Sequence, residues 1–316
     1  MVHISRVLFT FADITVSLVG SRPHLTWCIA YFHHYISLTD HNRYDIEIEL
    51  TDDYRDYVSR AYAHKVSNPI MYLSYDDQFR HYLVYFLPHI DRNRSFMRLV
   101  RNLILNELQG RNFIFLHAAC VSFLEMGVGI IGDRMAGKTT TCLSLLCKGF
   151  AFTTNDKLAV TVTPQGPEAI GIPVSIGIRQ GTRDLFPNIH YTGERSLETD
   201  KIYLTPQSLC EQFHTDIRSR AMLRLFLFPV YDPSANTLVI SELTMPEKQE
   251  LIERQILGSV YGDYILYKQP QKDTMAVTEK IKCELLQIPF LQIRQNGQSL
   301  NNVPEYIKRT ILNMKL

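Results

Sequence analysis

Val128 to Gly149 reads VGIIGDRMAGKTTTCLSLLCKG. Val128–Ile131 is an apolar run that predicts a buried strand. Gly132–Thr139, GDRMAGKT, matches G-x-x-x-x-G-K-[ST] in full. Thr139–Gly149 predicts a helix with Leu143, Leu146 and Cys147 on one face and Gly149 at its C′ position. A strand that passes through a glycine loop into a helix N-terminus is an anion trap. Backbone N–H groups point at phosphate oxygens, and the helix dipole favours negative charge. In such a loop Gly132, Asp133, Arg134, Met135, Ala136, Gly137, Lys138, Thr139 and Thr140 surround the phosphates. Lys138 reaches the β- and γ-phosphates and the Thr139 hydroxyl ligates Mg²⁺. The competing reading is an ordinary strand-to-helix turn with two glycines; the flanking strand and helix favour a nucleoside triphosphate or a close relative.

Phosphoryl transfer needs a second half: a carboxylate to hold the metal and a group to orient the acceptor hydroxyl. The nearest carboxylate is Asp156, in FAFTTNDK (150–157). It stands at the end of the strand after the loop helix, which returns the chain to the loop's edge of the sheet. An Asp there serves equally as a turn or helix cap. His117 lies on the strand entering the loop, either as a site residue or as a satisfied core histidine. Lys201 could help hold the γ-phosphate, or pair with Asp200 at the surface.

The 316 residues are enough for one large or two medium domains. Of the chain, 46% is hydrophobic and 21% charged, with a net charge of +1, a balance that points away from a nucleic-acid or membrane partner. Arg92-Asn93-Arg94 and Arg218-Ser219-Arg220 read as solvated helix faces. Six cysteines are scattered without metal-ligand spacing, and Cys120, Cys142 and Cys147 read as small core residues. No signal peptide and no apolar run near 18 residues are visible, so a reduced, cytoplasmic protein is expected.

Residues 1 to about 90 alternate apolar and polar positions, as in Val7–Phe11, Ile14–Leu18, Ile46–Leu50 and Tyr82–Phe86. A period of two predicts antiparallel strands of a β-rich domain. Tyr31-Phe32-His33-His34-Tyr35 reads as strand filling. Phe96–Leu108 predicts a helix that ends at Gly110, and FIFLHAACVSF (113–123) predicts a strand pair leading to the loop. Short strands follow Gly149. Glu247–Gly258 predicts a helix started by Pro246, and the tail from Met275 a further helix and a strand at Phe290–Ile293. The expected division is a β-rich domain over 1–95 and a catalytic domain over 96–316.

His117-Ala118-Ala119, GVGIIGDRMAGKTTT (127–141), Lys148-Gly149-Phe150 and Asn155-Asp156 together resemble the HPr kinase/phosphorylase family, whose fold includes the carboxykinase P-loop core. The resemblance covers about residues 95 to 205. It implies an α/β fold, an HPr kinase/carboxykinase-like P-loop core behind an N-terminal β-rich domain. ATP and Mg²⁺ are implied as cofactors, and Thr139 and Asp156 as metal ligands. Arg179 falls where the family places an Arg-bearing loop near the acceptor phosphate, where a cation neutralises developing charge; a surface arginine is the alternative. Leu116-His117-Ala118-Ala119 and the separate N-terminal region look most like the kinases of lasso-peptide and other modified-peptide gene clusters. Those transfer phosphate to a serine hydroxyl of a precursor peptide, and the family tends to form homo-oligomers. Two departures stand out. Asn155 replaces the first aspartate of the family's pair, and an amide is no base. Arg134-Met135 replaces a small Ser-Gly pair.

The leading expectation is therefore an ATP- and Mg²⁺-dependent kinase of a serine hydroxyl on a peptide or protein. The N-terminal region would recognise the acceptor by strand addition or a groove; a metabolite such as free serine is a further acceptor. Asn155 keeps open a second expectation, a nucleotide-binding partner of a biosynthetic complex without turnover. A GTP switch fits poorly, because Asn155-Asp156-Lys157 has the wrong spacing for N-K-x-D.

Overall fold

A computed structural model describes residues 4–11, 13–32, 35, 43–67, 69–78, 80–88, 92–172, 174–196, 199–257 and 274–314. The chain forms two compact units, the first holding the described residues up to Gly110 and the second those from Arg111 onward. The expected boundary stood at residue 95.

The first unit carries β1 (Ile4–Phe11), β2 (Ile14–Ser21), α1 (Arg22–Phe32), β3 (Ile46–Thr51), α2 (Tyr54–Arg60), β4 (His64–Ser67), β5 (Met71–Tyr75), β6 (His81–Phe86) and α3 (Arg92–Gly110). Alternation found the strand faces: in β3, Ile46, Ile48 and Leu50 are buried while Glu47 and Glu49 are part exposed. Pairing is antiparallel as expected in β1–β2, β4–β5 and β5–β6 and departs from expectation at β3. The sheet runs β1-β2-β3-β6-β5-β4, and β3 is parallel to both β2 and β6. Parallel neighbours need a crossover longer than a turn, and α1 provides it between β2 and β3. Tyr31 and Phe32 therefore belong to a helix rather than a strand, and the Phe32 ring meets Phe9 and Phe11 edge-on at 5.1 and 5.6 Å. His33 and His34 lie outside the described residues.

The second unit contains β7 (Ile114–Leu116), β8 (Ala118–Phe123), β9 (Met126–Ile131), α4 (Lys138–Leu146), β10 (Ala151–Thr154), β11 (Leu158–Thr163), β12 (Gly166–Gly171), β13 (Ile176–Ile178), α5 (Gln180–Leu185), β14 (Glu194–Arg195), β15 (Ile202–Leu204), α6 (Pro206–Phe213), β16 (Arg220–Tyr231), β17 (Val239–Glu242), α7 (Met245–Gln255), α8 (Thr274–Leu286), β18 (Phe290–Gln295) and α9 (Val303–Asn313). Its main sheet runs β10-β8-β9-β16-β12-β11-β7, with β18 between β16 and β17. Val128 and Ile130 join α4, α6 and α9 in one core; Ile131, Phe226 and Phe290 join α7 and α8 in another. Mixed α/β layering with helices on both sheet faces is the result.

The β9–β16 contact is close. A Cβ on Gly129 would lie 2.3 Å from the Phe226 ring, which stacks on Phe290 at 4.7 Å. Gly129→Ala is expected to cost about 1–3 kcal/mol by overpacking, read as a lower denaturant midpoint at unchanged m-value.

The end of α4 follows its sequence signal. Gly149 has φ +83°, and the N–H groups of Gly149 and Phe150 reach the carbonyls of Leu146 and Leu145 at 3.0 and 3.3 Å, the Schellman pattern. Cys120 and Cys142 are buried as expected, but Cys147 is exposed, because the helix runs out beneath it. Arg218-Ser219-Arg220 leads into a strand rather than forming a helix face; Arg220 pairs with Glu168 at 3.1 Å. No helix among the described residues is long and apolar enough to cross a membrane.

Candidate functional site

A cleft of about 520 Å³ opens at the C-terminal ends of the parallel strands of the second unit. Its first wall is the loop between β9 and α4. Gly137, the N-cap of α4, has φ +100°, a conformation that costs an L-residue about 1–2 kcal/mol. A Cβ there would find its nearest neighbours 3.9 Å away, so the dihedral rather than crowding requires glycine. Met135 also has positive φ, +70°, and its side chain is exposed.

Arg134, Met135, Ala136, Gly137, Lys138, Thr139 and Thr140 all line the cleft. Gly132 and Asp133 are not among the lining residues. They contribute carbonyls instead: Lys138 Nζ donates to Gly132 O at 2.7 Å and to Asp133 O at 3.1 Å. The Asp133 carboxylate accepts from Gln255 Nε2 at 3.2 Å and lies 3.6 Å from the Arg254 guanidinium. Burial pushes the Lys138 ammonium below the usual lysine range, against the opposing pull of Asp156 and Asp133. An under-solvated cation of this kind gains more from a phosphate oxygen than an exposed one does.

Facing the loop are His117 and Asp156. His117 occupies the single-residue step between β7 and β8, anchored by its N–H to Gln255 O at 2.8 Å. Asp156 follows β10 with φ +76°. His117 Nε2 and Asp156 Oδ1 are 2.8 Å apart; an ionised carboxylate only accepts, so Nε2–H is the donor. That hydrogen bond, with the charges of His117, Lys138 and Lys201, holds the Asp156 carboxyl below the usual carboxylate range, although desolvation works the other way. Asn155, by contrast, is buried and is not a lining residue. Of Asn155 and Asp156, both expected at the site, it is Asp156 that lines the cleft.

Further lining comes from α5, its N-cap and the residue before β15. Arg179 caps α5 and lines the cleft, and Thr182 ties that helix to α4 through Thr140 at 2.9 Å. Lys201 lines the cleft too, while Asp200 pairs with Arg183 and Arg195 at 3.3 and 3.2 Å. The ion pair offered as the alternative for Lys201 is thus made by other cations.

Tyr231, Gln295, Asn296, Gly297 and Leu300 also line the cleft, and sequence reasoning missed all of them. They stand at strand ends and in a turn without motif spacing. Only the pairing of β16 with β18 brings them to the loop.

The donor set suits a magnesium nucleotide. The Thr139 hydroxyl and Asp156 carboxylate are hard oxygen donors that both line the cleft, and Mg²⁺ is commonly held by one or two protein oxygens plus substrate phosphates.

No protein-family model matches the chain, and no curated protein does so either. Among solved structures it is similar to that of the Hpr(Ser) kinase/phosphatase from Coxiella burnetii, at 14% identity over 64% of this chain and 95% of that one, with a TM-score of 0.31. A likeness so distant carries nothing about the reaction, which has to be read from the side chains.

Proposed function

We propose that the protein is an ATP- and Mg²⁺-dependent kinase that transfers a γ-phosphoryl group to a serine hydroxyl of a peptide. The observation that carries this reading is the convergence of Lys138, the His117–Asp156 pair and the cations Arg179 and Lys201 on one cleft. Lys138 leaves the carbonyls of Gly132 and Asp133 to hold the phosphates, together with the first amides of α4. Thr139 and Asp156 would hold the metal, which would supply charge neutralisation at the phosphates. Asp156, steadied by His117, takes the proton of the acceptor hydroxyl as its oxygen bonds to phosphorus and the bond to the diphosphate leaving group breaks. Arg179 and Lys201 stabilise the charge on the transferred group.

A carboxylate bonded to His117 and facing the loop supports turnover. The alternative of a binding-only partner rested on Asn155, which is buried outside the lining. For the acceptor, the first unit offers two sheet edges among the described residues, β1 and β4, and an extended peptide adds to such an edge. A cytoplasmic location and a homo-oligomeric state belong to the same proposal.

The test is intact-mass analysis of the protein with ATP, Mg²⁺ and a panel of Ser-ended peptides plus free serine, with Lys138→Ala as control. One added phosphate on a peptide, absent in the control, is the expected result. Phosphate on free serine alone would move the acceptor to a metabolite. Nucleotide binding without transfer to any acceptor or to water would favour the binding-only partner.

A further inference from the structure

Strands β9, β16 and β18 are parallel: β16 pairs with β9 from Met222 to Leu227 and with β18 from Phe226 to Tyr231. In such sheets ligands collect beyond the carboxyl ends of the strands. The end of β9 becomes the phosphate loop. The next two parallel strands, β16 beside β9 and β18 beside β16, end in Tyr231 and Gln295, which are register partners, and Asn296 and Gly297 come next in the chain. All four line the cleft that holds Lys138, yet none has a part in phosphate transfer.

Their chemistry suits a flat, heteroaromatic ligand. Tyr231 is 66% exposed, so its ring face is open to stacking. The amide of Asn296 has a fixed sense: Oδ1 accepts from the N–H groups of Gln298 at 2.8 Å and Ser299 at 3.0 Å, which leaves Nδ2 purely a donor. Gln295 is 95% buried, being only 5% exposed. Its Nε2 donates to Thr141 on α4 at 2.8 Å, and its Oε1 has no hydrogen-bond partner among the described residues. Gln295 thus fastens the end of β18 to the helix that starts at the phosphate loop, and sets Asn296 at a constant distance from it. Gly297 packs under α5: a Cβ there would come within 2.8 Å of Leu185 Cδ2.

We propose that Tyr231, Asn296 and Gly297 form the seat of a purine base, a role that rests on the nucleotide-binding reading of the cleft. Tyr231 stacks on the base, and Asn296 Nδ2 donates to an acceptor nitrogen of the imidazole edge. Gln295 is a positioning residue that keeps this seat in register with the loop. A pyrimidine offers less stacking area and lacks that edge, so purine nucleotides are selected over pyrimidine nucleotides.

Calorimetric titration of the full chain with Mg²⁺ plus ATP, CTP or inorganic tripolyphosphate tests this. ATP is expected to bind at least tenfold more tightly than CTP. Tyr231→Ala is expected to lose about tenfold in ATP affinity and leave tripolyphosphate unchanged, while Tyr231→Phe retains wild-type affinity. Asn296→Ser keeps a capping oxygen for the turn, replaces the Nδ2 donor by a hydroxyl on a shorter side chain, and is expected to lower ATP affinity alone. Equal affinity for ATP and CTP, or a Tyr231→Ala protein weakened equally toward ATP and tripolyphosphate, would overturn the purine seat and leave the nucleotide reading standing. A wild type that binds neither ATP nor tripolyphosphate would overturn that reading itself.

Discussion

Asp156→Asn is expected to lower turnover by about two to four orders of magnitude, the span associated with a positioned general base, while the fold survives. Asn is among the few residues that tolerate positive φ, so it accepts the +76° of this position. Its amide oxygen can still accept from His117. What it lacks is the charge that faces Lys138 and Lys201. Unchanged transfer by this variant would remove Asp156 from the mechanism. A pH signature accompanies the loss. The folded carboxyl titrates below its unfolded value, chiefly because His117 donates to it. Its contribution to stability is therefore present above the unfolded carboxylate range, near pH 4, and vanishes as pH falls through the lower folded value. Wild type and Asp156→Asn should differ in thermal midpoint at pH 7 and converge in acid.

Lys138→Met is expected to lower kcat/KM by about 10³, in line with the loss of a main charge-stabilising group, with a thermal midpoint equal to or above that of the wild type. Lys138 is 9% exposed, and burial disfavours its charged form. The charges of Asp156 and Asp133 offset that cost only in part, since the ammonium stays below the usual lysine range. Methionine keeps the apolar stem and removes the charge. Because the folded lysine loses its proton at lower pH than the unfolded one, the wild type should gain stability relative to Lys138→Met as pH rises toward the ordinary lysine value. Thermal melts of both proteins at pH 7 and about pH 9.5 measure this. A large drop in the midpoint of the methionine variant would show that Lys138 is chiefly structural.

Local sequence was informative where the backbone is specified locally. From Val128 to Phe150 the strand, the positive-φ glycine at 137, the helix and its glycine stop all follow from adjacent residues. In the first unit, alternation located β1, β2, β3 and β6 but says only which face is buried, so the parallel pairing imposed by α1 stayed hidden. The aromatic, β-branched content of RPHLTWCIAYF (22–32) helped hide that helix. Helical period put Cys147 on the buried face without showing that the last turn leaves the core. At Asn155 and Asp156 the sequence shows two polar neighbours, and only the folded backbone, with its positive φ at Asp156, shows which meets the cleft. Tyr231 and Asn296 carry no local signal, because their positions depend on a parallel strand far along the chain.

That separation governs the order in which the site can come into being. The bond from Gln295 to Thr141 spans 154 residues, and that from Ser144 to Leu300 spans 156. At roughly 5–20 residues per second, a ribosome delivers the phosphate-loop helix about 8 to 30 seconds before the segment that underpins it. During that interval the apolar face destined for α9 has no partner, so the newborn chain holds its most motif-rich stretch in an unfinished state for longer than most small domains take to fold.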